Sequence, residues 1–326
     1  MSPKQNRSSS SWIILILVFS VITILVLILT IISFIRVSDV YNNTAITPSV
    51  SHVPAFLTDA SYTISFHENT FLLTFSSNGT IVFDSPCTLR YLVVGGGGAG
   101  GSNGGGGGGG GGVISGSITV NPGVPYPIMI GKGGAPDTKN PGSGGSSVFH
   151  GMTAYGGGAG GCRLETGTFP ASKGGCGGGG SATDVDSQNE GGDPIQGYRG
   201  GNGYNGSKGS PQNTSAGGGG GGAGQAGADA SDSMGGHGGN GYKWLSNEAV
   251  YGGGGGGGIV LVHSAQASGG SGGGGSGGGF DGDTALPATD GTDGLGGGGG
   301  GGGPLQIAPT GARGGSGTVI LAVPLN

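Results

Sequence analysis

Residues 91–112 read YLVVGGGGAGGSNGGGGGGGGG, an apolar, strand-like run that passes directly into a segment with almost no side chains. Within it, Val93-Val94-Gly95-Gly96-Gly97-Gly98-Ala99-Gly100 satisfies the G-x-G-x-x-G spacing of a dinucleotide loop. That chemistry needs a helix immediately afterwards, so that the helix N-terminus meets the pyrophosphate, and an acidic residue about twenty positions on. Here the glycines lead to a further nine and then to VISG. The stretch therefore reads as a junction: a strand that ties into a sheet, then threads of a layer without side chains.

Comparable runs return at 156–158, 217–222, 252–258, 272–275 and 296–303, and glycine supplies 89 of the 326 residues. Glycine loses more backbone freedom on folding than any other residue and adds nothing to an apolar core. The hydrophobic fraction is 33%, so if the runs are ordered, backbone hydrogen bonding must hold them. A polyproline-II-like thread has no internal hydrogen bonds and turns its N–H and C=O groups outward. Several glycine threads, with no Cβ to keep them apart, can satisfy one another side by side; a flexible Gly/Ser-rich tail is the competing reading.

Around the runs lie strand signals at 61–66, 70–75, 80–83, 89–94, 113–120 and 126–130. Asn78-Gly79 and Asn121-Pro122-Gly123 mark turns that predict hairpins between their flanking runs. Pro125 and Pro127 confine the last of these strands to an edge or to places where no donor is needed. The closing GGSGTVILAV predicts a terminal strand returning to the first sheet, and no stretch after residue 36 reads as a helix.

The units YLVVGGGGAGG, GGVISGSITVNPGVPYPIMIGKGG and GGSGTVILA, with residues 71–83 and 142–161, resemble the glycine-rich domain of bacteriophage tail-fibre adhesins, of bacterial and large-virus surface proteins, and of the anaplastic lymphoma kinase receptor ectodomain. The resemblance implies an all-β fold: a small β-sandwich with an attached bundle of packed polyglycine-II helices. It also implies partner contacts through the inserts 163–173, 184–203 and 243–248. Tyr198, Tyr204, Tyr242 and Trp244 form the candidate binding surface, provided they cluster on one rim.

Residues 12–35, WIILILVFSVITILVLILTIISFI, carry no charge and are long enough to span roughly 30 Å of hydrocarbon as a helix. They predict a transmembrane signal anchor after a short tail (1–11), followed by a stalk (36–60) and a glycine-rich ectodomain (61–326). Lys4 and Arg7 before the span bias the N-terminus inside and the domain outside, in a single-pass membrane protein with the lipid bilayer as partner. On that side Asn42, Asn78, Asn205 and Asn213 open N-x-S/T triplets and are candidate glycosylation sites. Cys162 and Cys176 flank a polar loop and are a candidate disulfide, with three free buried thiols, Cys87 included, as the alternative.

Charged residues make up 9% of the chain and the net charge is -5, with no basic stripe, which excludes nucleic acid as a partner. Gly131-Lys132-Gly133 lacks the frame of a phosphate loop. Asp281, Asp283, Asp290 and Asp293 read as solvated turn residues, and the five histidines have no ligand spacing. The expectation is a non-enzymatic surface protein of a large virus or a cell, without cofactors, structural or attaching to other structural proteins or to a host glycan or protein, with a homo-oligomer open. A scaffold without a specific ligand and a receptor-like ectodomain are the alternatives.

Overall fold

The computed structural model describes residues 54–164, 167–182, 189–206, 215–260, 265–281, 284–304 and 310–325. All lie in one compact unit running from His52 to Asn326. The strands of the sandwich are β1 (Phe56–Thr58), β2 (Tyr62–His67), β3 (Thr70–Phe75), β4 (Gly79–Phe83), β5 (Cys87–Val94), β6 (Val113–Val120), β7 (Pro125–Met129), β8 (Ser147–Phe149) and β9 (Met152–Ala154). Short hairpins follow: β10 (Cys162–Leu164) with β11 (Gly167–Phe169), β12 (Tyr204–Asn205) with β13 (Ser215–Ala216), β14 (Tyr242–Lys243) with β15 (Val250–Tyr251), and β16 (Gly279–Asp281) with β17 (Thr284–Leu286). The last strand is β18 (Thr318–Pro324).

The strands of the sandwich form two five-stranded sheets, ordered β2-β3-β18-β5-β6 and β1-β4-β7-β8-β9. Alternation builds the core between them. Phe71, Leu73 and Phe75 of β3, Leu89, Tyr91 and Val93 of β5, and Val319, Leu321 and Val323 of β18 meet Ile81, Phe83, Tyr126, Ile128 and Phe149 of the facing sheet. Each such side chain contributes about 1.5–3 kcal/mol by leaving water. As expected from the closing apolar run, β18 returns to the first sheet, where it takes the central place, antiparallel to both β3 and β5. It is buried on both faces, which is why it reads as a continuous apolar run rather than an alternating one.

Three expectations are corrected. The two turn signals do not close hairpins: β3 and β4 lie in different sheets, as do β6 and β7. At both turns the chain crosses the core, because the runs before and after each must face one another across it. Phe56–Thr58, within the stretch read as a stalk, is the edge strand β1, paired with β4. Pro125 and Pro127, by contrast, keep the second of their two expected places, one where no donor is needed: they sit on an interior strand at the end where β8 has run out, since β8 pairs only with Ile128 and Met129.

The third correction concerns the anchor. Among the described residues there is no α-helix, and none long and apolar enough to cross a membrane. Residues 12–35, on which the anchor was placed, and Asn42 lie outside the described residues. The described residues accordingly form an all-β fold without an α-helix, and neither a bilayer partner nor a single-pass membrane topology is carried forward.

Candidate functional site

β5 and β6 are paired along their whole lengths, and their ladder is continued by glycines rather than ended by a turn. Gly95, Gly98 and Gly101 donate to Gly112, Gly109 and Gly106 at 2.9–3.0 Å. The reversal between the two threads is made by Asn103 (φ 56) and Gly104 (φ 66), two residue types that tolerate the left-handed region.

In residues 104–112 the direction of each N–H rotates with a period of three. Gly106, Gly109 and Gly112 donate to Gly161, Gly158 and Tyr155; Gly107 and Gly110 donate to Gly218 and Gly221; Gly108 and Gly111 donate to Gly299 and Gly296, all at 2.8–3.0 Å. The carbonyls repeat the pattern, accepting from 95–101, from Gly179 and Cys176, and from Gly258 and Gly255. A strand ladder alternates between two sides, whereas this backbone addresses a new neighbour every 120°, the three-residue turn of a polyglycine-II helix. The central thread is thus enclosed by 95–101, 155–161, 174–180, 217–222, 252–258 and 296–303. A Cβ built on Gly106, Gly107 or Gly108 would overlap the carbonyl oxygen of Gly179, Gly255 or Gly98. Close approach of backbones is what demands glycine here.

The outer threads obey a different rule. Lys132-Gly-Gly-Ala135, Ser143-Gly-Gly-Ser146, Glu190-Gly-Gly-Asp193, Arg199-Gly-Gly-Asn202, His237-Gly-Gly-Asn240, Ser268-Gly-Gly-Ser271 and Arg313-Gly-Gly-Ser316 share an X-G-G-X spacing, with the glycines against neighbouring backbones. With three residues per turn, the X positions form one outward row. Those rows join across threads: Ser268 N–H donates to His237 Nδ1 at 3.0 Å, Ser271 N–H to Asn240 Oδ1 at 3.0 Å, and Asn240 Nδ2 to Gln225 Oε1 at 2.7 Å. Arg313 spans Asp293 with two bonds of 2.9 and 3.1 Å, and Asp293 also accepts from Ser316 N–H. The Arg313 guanidinium first, then that amide, holds the Asp293 carboxyl below its usual range. Asp290 and Asp293 therefore staple a thread rather than cradle a cation.

The hairpin of β14 and β15 joins bundle to sandwich. Trp244 lies on the outer face of the first sheet against Leu72, Leu92, Val94, Ile320 and Ala322 and is 4% exposed. Tyr251 packs beside it, its hydroxyl accepting from Asn247 Nδ2 at 2.6 Å, and burial pushes its pKa up. Of the proposed binding surface, Trp244 is therefore a buried clamp. Tyr242, exposed, reaches Ser115 on β6 (3.3 Å), Tyr204 is half-buried in the β12–β13 hairpin, and Tyr198 is exposed beside thread 217–222. No bond or ring contact joins the four to one another among the described residues.

The cysteines are all free, Cys162 and Cys176 fully buried and Cys87 half-buried. Cys162 Sγ accepts from Ser102 N–H at 3.2 Å, while Cys176 Sγ lies 3.7 Å from the Gly111 carbonyl. Those partners mark opposite ends of the central thread, roughly 20 Å apart at 3.1 Å per residue. A disulfide needs Cα atoms within about 7 Å, so the structure leaves the candidate pair unbonded. Burial pushes the Cys176 thiol up to about 12 and also raises Cys162 and Cys87.

Among the sequons, Asn78 is exposed, with Oδ1 accepting from Ile130 N–H at 2.8 Å; Asn205 is half-buried in β12; Asn213 lies outside the described residues. Among the described residues no group of His, Cys, Asp or Glu could hold a metal ion. Sequence reasoning missed Gln196, whose amide accepts from Tyr155 N–H (2.9 Å) and donates to the Thr153 carbonyl (2.9 Å), covering the free edge of β9. No local signal marks that role.

A family model described as a glycine-rich domain matches residues 75–324. No curated protein and no solved structure shows significant similarity to the chain.

Proposed function

The chain belongs to the glycine-rich domain family, and on that premise we propose that it is a structural module, a rigid scaffold whose stiffness comes from backbone packing. The observation that carries this is the three-fold rotation of hydrogen bonds in residues 104–112, which engages the thread on every side. A body so held resists bending and local opening without a large apolar core. It needs no catalytic group, and its rows of polar and charged side chains suit an exposed, load-carrying surface.

The test is amide hydrogen exchange on the full chain. Exchange of Gly106–Gly111 only through global unfolding supports the scaffold; exchange within seconds under native conditions overturns it.

A second reading, attachment through loops, is favoured by where the threads turn. The reversal at 102–104 lies at the end away from the sandwich, and it touches Cys162, Arg163, Ala182 and Gly302, where other threads also end. Loops from several threads are thus delivered to one end, as an attachment tip requires. Binding of host glycans or proteins that is lost on replacing the β12–β13 loop supports this reading; binding indifferent to every loop at that end excludes it.

A further inference from the structure

β2 is the edge of its sheet and is exposed along almost its whole length. Its register with β3 puts Tyr62, Ile64 and Phe66 on the core-facing side, opposite Phe75, Leu73 and Phe71. The β3 residues are buried, yet Tyr62 is 39%, Ile64 50% and Phe66 67% exposed. The facing sheet ends at β1, whose Phe56 meets Tyr62 of β2 and Phe71 of β3, with ring centroids 5.6 and 6.5 Å apart, and still leaves Ile64 and Phe66 half or more exposed. An apolar ledge therefore overhangs the sandwich beside an unpaired strand edge. Natural edges are usually blunted by charge, proline or a bulge; residues 61–66 carry no charge and no proline.

We propose that β2 pairs with β2 of a second copy, antiparallel, about a two-fold axis through Ile64. The backbone fixes that register. His67 and Thr70 close a two-residue turn and bond to each other across it, so by ladder alternation the N–H and C=O groups of Tyr62, Ile64 and Phe66 point to the free edge. The register that joins all of these sets Ile64 against Ile64, and Tyr62 against Phe66, of the second copy.

The side chains agree with the axis. Residues 62–66, Tyr-Thr-Ile-Ser-Phe, form a chemical palindrome, aromatic facing aromatic and hydroxyl facing hydroxyl, as an isologous contact requires. No charge meets its own copy within the strand. The three exposed side chains offer on the order of 300–400 Å² per copy. With both strand edges the contact approaches the roughly 1,000 Å² of a specific interface. Pairing would turn two five-stranded sheets into one continuous sheet and remove the open edge.

Sedimentation velocity on the full chain at micromolar concentration tests this, and a mass of two chains is expected. Ile64→Asp places two carboxylates on the axis and is expected to weaken the dimer roughly a hundredfold while leaving the far-UV spectrum unchanged. Ile64→Cys is expected to cross-link to itself on mild oxidation, whereas Ser65→Cys, facing residue 63 of the second copy, is not. A single-chain mass throughout overturns the proposal, as does a dimer unaffected by Ile64→Asp or equal cross-linking at both positions.

Discussion

The carbonyl oxygen of Gly255 occupies the place where a Cβ of Gly107 would stand. Neither residue has a side chain to withdraw, and both lie on threads held by neighbours, so Gly107→Ala must force two backbones apart. The expected cost is about 3 kcal/mol or more, at the upper end for overpacking. Gly123→Ala is the comparison: its φ of 72 disfavours alanine, but nothing lies within 4 Å of the added carbon. About 1–2 kcal/mol is expected there. Denaturant midpoints separate the two, and equal losses would show that backbone approach is not what demands glycine.

Trp244 covers the outer face of the first sheet while its neighbour Leu245 stands 73% exposed at the tip of the same hairpin. Trp244→Ala is expected to lose about 3–5 kcal/mol, as for other large buried aromatics. Leu245→Ala should change stability by no more than about 0.5 kcal/mol. A tolerated Trp244→Ala in chemical denaturation would mean that the sheet face can stay uncovered, and that bundle and sandwich are joined only through the chain.

How far the fold can be read from residues alone depends on which interactions carry it. The strands flanking 91–112 and the return of β18 to the first sheet were legible, because apolar alternation and a closing apolar run after so polar a region mark strands; that β18 lies at the centre was settled only by its two partners, β3 and β5. The turns at Asn78-Gly79 and at 121–123 were not: a turn signal says that the chain reverses, and only the partner sheet decides whether it pairs with itself or crosses the core. Tyr198, Tyr204, Tyr242 and Trp244 look alike as exposed aromatics in a polar sequence, yet Trp244 is claimed by an apolar sheet face that no local pattern announces. The separation of Cys162 from Cys176 depends on thread register, set by hydrogen bonds between distant glycines. The bundle itself has a signature: uninterrupted glycine at the centre, as in 104–112, and X-G-G-X at the rim, as in His237-Gly-Gly-Asn240.

Asp293 links the thread at Arg313 and Ser316 to the preceding turn. Its folded pKa lies below the unfolded value, with the Arg313 bond as the largest cause. The sign follows: this link stabilises fully above the ordinary carboxylate pKa of about 4 and is lost as pH falls through the lowered value. Both side chains are around half exposed, so the contribution is below about 1 kcal/mol. Asp293→Asn should lower the melting temperature slightly at pH 7 and make no difference once the wild-type carboxyl is protonated. A difference that persists undiminished at the lowest pH would assign the effect to lost packing rather than charge.

Cys176 offers the sharpest chemical probe of bundle order. At pH 8 a thiol with a pKa of about 12 has about one part in ten thousand as thiolate, the reactive form. Its sulfur also lies within the threads, near the Gly111 carbonyl. Alkylation of the native chain should therefore modify half-buried Cys87 first and leave Cys176 unmodified until the bundle opens, while denaturant releases all three cysteines. Peptide mapping under non-reducing conditions should find no Cys162–Cys176 bond. Modification of Cys176 as fast as Cys87 would mean that threads 104–112 and 174–180 separate readily, which the hydrogen bond from Cys176 N–H to Gly110 and the one from Gly179 N–H to Gly107 are there to prevent.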